Sequence, residues 1–214
     1  MLGEIPRWRG VLSNSGFVRH AETVRVRGIL YTCPPMSTEL DVLYLVSQRL
    51  DACRVQYMLT GSFALAFYAT PRMTRDLDLV VQLSEADMKR LAEVFLEDFY
   101  LDAEDAATAV AARRMFNLMH LQSGIKVDFI VRKDTEYREV EFSRRKAVQI
   151  NGLDIWIVSR EDLILSKIVW SLESKSDMQR RDIVSLAHPS LDWAYLRRWA
   201  NNLGISAALE QTLG

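Results

Sequence analysis

Apolar residues recur at three- and four-residue steps at Leu40, Leu43, Val46 and Leu50, after Met36-Ser37-Thr38, which predicts an amphipathic helix. The period then changes. Residues 55–59 read as a buried strand, 62–69 as a short helix and 76–83 as a second strand. Ser84 with Asp87 three residues on forms a capping-box pattern, and Leu91, Val94 and Phe95 supply the apolar stripe of the helix it opens. Residues 103–113 predict a further helix. Residues 116–121 and 125–131 flank Gln122-Ser123-Gly124 as a β-hairpin. A second hairpin turns at Asn151-Gly152, a dipeptide suited to the positive φ angles of a type I′ turn, and leads into Ile155-Trp156-Ile157-Val158. From Ser159 onward no strand pattern remains. Ser159 with Asp162 is another capping box, and its helix runs through Leu163, Ile164, Ile168, Val169 and Leu172. Helices near 177–187, 191–202 and 205–213 follow, punctuated by Pro189 and Gly204.

The expected organisation is therefore an α/β domain over 37–158, then a helical lobe over 159–214. Residues 1–36 form a separate N-terminal arm with weak periodicity, in which Arg7, Trp8, Arg9, Arg19, Arg25 and Arg27 mix with Gly, Ser and Pro. Two readings of that arm stay open: a disordered or strand-adding extension, or a segment ahead of a true start at Met36. No function is assigned to residues 1–35.

Composition narrows the class. The 214 residues are 49% hydrophobic and 26% charged, as in an ordinary soluble globular protein. A formal net charge of −1 argues against a polyelectrolyte that coats nucleic acid, while leaving room for a local basic groove. Cys33 and Cys53 are the only cysteines, too few for a disulfide framework, so a reducing, cytoplasmic location is expected. Apolar runs are too short to span a bilayer, and residues 1–30 lack the continuous apolar stretch of a signal peptide.

The candidate chemistry lies between the second and third predicted elements. On a strand, Asp76 and Asp78 share one face while Leu77 and Leu79 point into the core. Two neighbouring carboxylates repel unless a cation lies between them, and Mg²⁺ takes one or two carboxylates together with substrate phosphates. Two such ions about 3.5–4 Å apart can activate a hydroxyl and neutralise a leaving pyrophosphate. Asp128, between Val127 and Phe129 on the hairpin, is a candidate third acid. The competing reading is a solvent-facing strand surface, which the apolar Val80-Val81 weakens. Gly61-Ser62 lies between a strand and a helix, where exposed N–H groups and the helix dipole suit a phosphate. The same pair could be a simple cap. The loop residues Arg72, Thr74 and Arg75 stand between two roles, salt bridges to the aspartates or contacts to a nucleotide phosphate.

Gly61-Ser62 followed by Asp76-Leu77-Asp78 resembles the signature of the DNA polymerase β-like nucleotidyltransferases. Thr60-Gly61-Ser62 with Arg72-x-Thr74-x-Asp76-x-Asp78 is similar to the AbiEii-like bacterial group, which includes toxins of type IV toxin–antitoxin pairs. Glu161-Asp162-Leu163-Ile164 through Lys167, and Arg181-Asp182, resemble two helical motifs of that group. The resemblance spans roughly 38–213. It implies a minimal nucleotidyltransferase fold, a small mixed β-sheet flanked by helices with a helical lobe beyond. It also implies Mg²⁺ (or Mn²⁺) at Asp76, Asp78 and Asp128, and an NTP substrate contacted by Gly61, Ser62 and Lys167. Asp182 is a further site residue by the same carry-over. Lys167 has a second reading, a lysine snorkelling at the core edge. The acceptor implied is a hydroxyl on RNA such as a tRNA 3′ end, on a protein, or on a small molecule of antibiotic type. A cognate antitoxin is an implied partner, and no membrane is. The alternative to an enzyme is a nucleotide-binding or partner-binding module of the same fold. His20, His120 and His188 are not expected to be catalytic, and Trp170, Trp193 and Trp199 are expected to pack the helical lobe.

Overall fold

A computed structural model describes residues 23–26, 29–32, 38–69, 74–150, 152–174 and 177–214. The readings made for the rest of residues 1–36, for Arg72 and for Asn151 lie outside these. The chain divides into two units, Met1–Pro35 and Met36–Gly214. In the first, β1 (Thr23–Val26) and β2 (Ile29–Thr32) pair antiparallel as a two-stranded sheet.

The second unit opens with α1 (Glu39–Ala52). Thr38 caps it reciprocally with Asp41, and Val42, Leu43, Val46 and Leu50 are buried along one stripe. There follow β3 (Tyr57–Thr60), α2 (Gly61–Tyr68) and β4 (Asp76–Val81). A 3₁₀ turn at Glu85–Asp87, carrying the Ser84–Asp87 capping box, leads into α3 (Met88–Phe95). Next come β5 (Phe99–Tyr100), α4 (Ala103–Ala111), β6 (Met115–His120) and β7 (Lys126–Val131). The chain continues through α5 (Glu136–Ser143), β8 (Lys146–Ile150) and β9 (Leu153–Ile157). It ends in α6 (Arg160–Ser174), α7 (Asp177–Ser185), α8 (Trp193–Asn202) and α9 (Ser206–Leu213).

The strands of this unit form one seven-stranded mixed sheet in the order β5-β6-β7-β4-β3-β9-β8. β4 runs parallel to β7 and antiparallel to β3, and β9 pairs with β3 in parallel. Both hairpins read from the sequence are present, β6–β7 and β8–β9. In the second, Ile150 pairs with Leu153 and Gly152 has φ +83°, the left-handed conformation that glycine adopts without strain.

Leu77, Leu79 and Val81 of β4 and Val127, Phe129 and Val131 of β7 are buried on one sheet face. Phe95 of α3 meets Phe129 edge-on with ring centroids 5.7 Å apart, which puts α3 on that face. The acids of β4 and β7 therefore project from the other face. Leu163, Ile164 and Ile168 of α6, Ile183 of α7, Leu196 and Trp199 of α8 and Leu209 of α9 are all buried.

In the second unit two described elements have no counterpart in the sequence reading. β5 is only two residues long. α5 buries Glu141 alongside Tyr137 and Phe142, so a charge sits on its inward stripe and masks the helical period. No helix among the described residues is long and apolar enough to cross a membrane.

Candidate active site

Asp76 and Asp78 stand at the start of β4, and the parallel register with β7 sets Lys126 opposite Asp76 and Asp128 opposite Asp78. Adjacent strands lie about 4.8 Å apart, so the Asp78 and Asp128 carboxylates are neighbours on one face. Exposure grades across the three. Asp76 is exposed, Asp78 half-buried and Asp128 buried. The Lys126 ammonium lies between the outer two, with Nζ 2.9 Å from Asp128 Oδ2 and 3.9 Å from Asp76 Oδ2. Asp128 Oδ1 is buried and makes no hydrogen bond. The Asp78 carboxyl is pushed up to about 6, first by burial and then by the charges of Asp128 and Asp76, against the pull of Lys126 and Lys167.

Gly61 is the first residue of α2 and directly follows Thr60, the β3 residue paired with Asp78. Its φ is +66°, and a Cβ at this position would stand 1.9 Å from Asp78 Oδ2. Both facts demand glycine. The bare backbone at the helix N-terminus thus lies directly against the carboxylate. Ser62 is buried beside it.

The helical motifs meet in one ion pair. Lys167 of α6 is fully buried and donates to Asp182 Oδ2 of α7 at 2.7 Å and to Gln179 Oε1 at 3.2 Å. It is not a lysine snorkelling to solvent. The separation of the two motifs in the sequence had hidden the pair. Thr74 is partly buried; its hydroxyl accepts from the Asp76 N–H at 3.4 Å, at the entry to β4. Arg75 is exposed at the same entry.

A cavity of about 570 Å³ opens from this face. Asp78 and Asp128 lie in its wall with Val80 and Ile130. The opposite wall carries Arg138 and Glu141 of α5 and Ser166 and Trp170 of α6, and Arg113, Arg114, Arg132 and Lys133 also line it. Trp170 departs from the expectation of lobe packing, because it is only partly buried and lines this cavity. Trp199 is buried and Trp193 packs on the core, as expected. His120 is a scaffold residue: its ring lies 5.1 Å from that of Phe99 and Nδ1 bonds with Ser123 Oγ at 2.8 Å.

Lys126 went unnoticed in the sequence. Its one signal there is its place two residues before Asp128, which on a strand sets both side chains on one face. Arg138 and Glu141 went unnoticed because they lie on the helix whose pattern was masked.

Among the described residues no group of three or more His, Cys, Asp or Glu side chains is arranged to hold a metal ion as they stand. The donor chemistry nonetheless fits a hard divalent cation. The set offers carboxylate oxygens only, with one buried oxygen of Asp128 unbonded and Asp78 raised by burial and by its acidic neighbours.

The family described as nucleotidyl transferase AbiEii toxin, type IV TA system, matches residues 45–184. An antigenic nucleotidyltransferase-like protein from Paracoccidioides brasiliensis is similar in structure at 20% identity, covering 84% of this chain and 94% of its own, with a TM-score of 0.50. The lincosamide antibiotic adenylyltransferase LnuA, in its lincomycin-bound form, is 14% identical over 70% of this chain and 96% of its own, with a TM-score of 0.48. The antibiotic-resistance factor ANT(2″)-Ia is 12% identical over 81% and 91%, with a TM-score of 0.42. No curated protein matches the sequence.

Proposed function

The chain belongs to the AbiEii toxin family of nucleotidyltransferases from type IV toxin–antitoxin systems, and from that premise we propose that it moves a nucleoside monophosphate from an NTP to a hydroxyl acceptor. The observation that carries this reading is the register of Asp78 on Asp128, with the open backbone of Gly61 against Asp78.

Asp76, Asp78 and Asp128 would hold the divalent cation, Mg²⁺ or Mn²⁺, which would screen phosphate charge and lower the pKa of the acceptor hydroxyl. Gly61 and Ser62 present the α2 N-terminus to the phosphates, and the missing Cβ lets them approach the backbone. Asp128 accepts the hydroxyl proton. The acceptor oxygen bonds to the α-phosphorus as the bond to the β-phosphate oxygen breaks, and pyrophosphate leaves. Lys167, oriented by Asp182, acts on the charge balance of Asp78 and supplies positive charge for the triphosphate. Arg72, Thr74 and Arg75 are assigned contacts to the nucleotide phosphates. In this reading the α/β domain of 37–158 carries the acids and the lobe of 159–214 supplies Lys167 and Asp182.

The acceptor we assign is an RNA 3′ end, such as that of tRNA, in a cytoplasmic toxin restrained by a cognate antitoxin. Arg114 and Lys133 are exposed at the cavity, beside Arg113 and Arg132. That rim suits a polyanion and repels a cationic antibiotic. The test is incubation with each labelled NTP, Mg²⁺ and total RNA or cell extract, asking which molecule gains label. RNA labelling that is lost in Asp76→Ala and Asp78→Ala supports the reading. Full labelling in the double variant overturns it.

A further inference from the structure

We propose that Lys126 is the resident counter-ion of the carboxylate cluster, and that it competes with a divalent cation for the same oxygens of Asp76 and Asp128. The inference rests on the reading that these carboxylates take a metal.

The in-register pairing of β4 with β7 fixes the arrangement. Lys126 is opposite Asp76, and Asp128 is two residues along on the same face. The Oδ2 atoms of both acids turn toward one Nζ, at 2.9 and 3.9 Å. A divalent ion held by those acids would stand close to the same ammonium, and two positive charges at that range repel. Asp128 Oδ1, the oxygen that Lys126 does not reach, is the one left without a hydrogen bond. The lysine thus neutralises part of the cluster without satisfying it.

The side chain of Lys126 is 35% exposed. Its four-carbon stem can swing the charge away from Asp128 when a stronger cation arrives. The consequence is a cluster that keeps its shape without metal and binds metal weakly by itself. A nucleotide brings both a metal and phosphates, and those phosphates give the displaced ammonium a new partner. Lys126 is a positioning residue in this scheme.

The test is Mn²⁺ titration of the full chain without nucleotide, following the electron paramagnetic resonance signal of free Mn²⁺. The proteins are the wild type, Lys126→Met, Lys126→Gln and Lys126→Arg. A half-buried charge-assisted bond is at stake, so Lys126→Met and Lys126→Gln should each bind Mn²⁺ roughly tenfold more tightly. Lys126→Arg keeps the charge and should stay close to the wild type. Circular dichroism verifies folding, and the glutamine variant decides if the methionine variant fails to fold. Unchanged or weaker Mn²⁺ binding in a folded Lys126→Met or Lys126→Gln protein overturns the proposal. A wild type that takes up no Mn²⁺ even with an NTP present overturns the metal reading itself, an outcome distinct from a Lys126 that has no effect.

Discussion

Two sets of acids, one on the helices α5 and α6 and one on the sheet, are treated in opposite ways. On the helical side, Asp162 is fully buried and accepts hydrogen bonds from Ser159 Oγ at 2.5 Å, Tyr195 Oη at 2.5 Å, Tyr137 Oη at 3.4 Å and Arg144 Nε at 3.2 Å. Glu141 is bonded by Arg138 Nη1 at 2.7 and 2.8 Å and by Ser166 Oγ at 2.8 Å. On the sheet side, Asp128 has one oxygen on Lys126 and the other unbonded, and Asp78 crowds against it. A fold can satisfy buried carboxylates when holding the chain together is their whole task, and here it does so for Asp162 and Glu141. Leaving Asp78 and Asp128 short of partners costs stability, and the shortfall is what a cation and a phosphate group could relieve.

This contrast can be broken by experiment. The largest effect expected is on turnover. Asp128→Asn should lower labelled nucleotide transfer on the order of 10²–10⁴-fold, the range for losing a general base, with an unchanged circular dichroism spectrum. The opposite pattern is expected from Asp162→Ala, which removes the shared acceptor of the buried Ser159 and Tyr137 hydroxyls and of the partly buried Tyr195 and Arg144. Loss of one partner in a buried ionic network costs about 3–5 kcal/mol, readable from urea melts. If Asp162→Ala melts like the wild type, the helical acids are not structural and the contrast fails.

A smaller loss of stability is expected from Gly61→Ala, where a positive φ and a displaced Asp78 carboxylate together cost about 1–3 kcal/mol. Activity should fall by more than that stability loss explains, because the methyl group stands where phosphate must approach. Parallel measurement of melts and transfer rates separates the two effects.

The finest test is pH. Burial, and then the charges of Asp128 and Asp76, push the Asp78 carboxyl from its ordinary 3.8 up to about 6, and melts in EDTA keep added metal from masking this. A raised acid pKa means the folded state holds the proton more tightly. The stability it contributes is complete below about pH 3.8 and is lost as pH rises through about 6. Asp78→Asn removes this dependence. The variant should therefore gain on the wild type in thermal melts from pH 4 to 7, by about 3 kcal/mol at neutral pH. A constant difference between the two across that range would show that neither burial nor the neighbouring acids raise Asp78.

Local chemistry accounts for the features that are legible in the sequence. Alternation places Asp76 and Asp78 together, and the strand-to-helix change locates Gly61 at a helix start, because both depend on residues a few positions apart. The same holds for the capping boxes at Ser84 and Ser159. Motif resemblance points to Lys167 and Asp182 but not to their mutual ion pair. α5 escapes because Glu141 breaks the apolar stripe that would announce it, and the partners of that acid, Arg138 and Ser166, lie on two different elements.

The chain alone was enough for its family, most of its order of elements and the residue types of its acidic site, since all of these are written in short-range patterns. Three things came only with the packed sheet: the register that sets Asp128 beside Asp78, the ammonium of Lys126 between Asp76 and Asp128, and the closeness of Gly61 to the Asp78 carboxylate. The physical reason is common to all three. Pairing between strands distant in the chain is set by the shared burial of Leu77, Leu79, Val127 and Phe129 on the opposite face, so the geometry of the acids is fixed by a core in which they take no part.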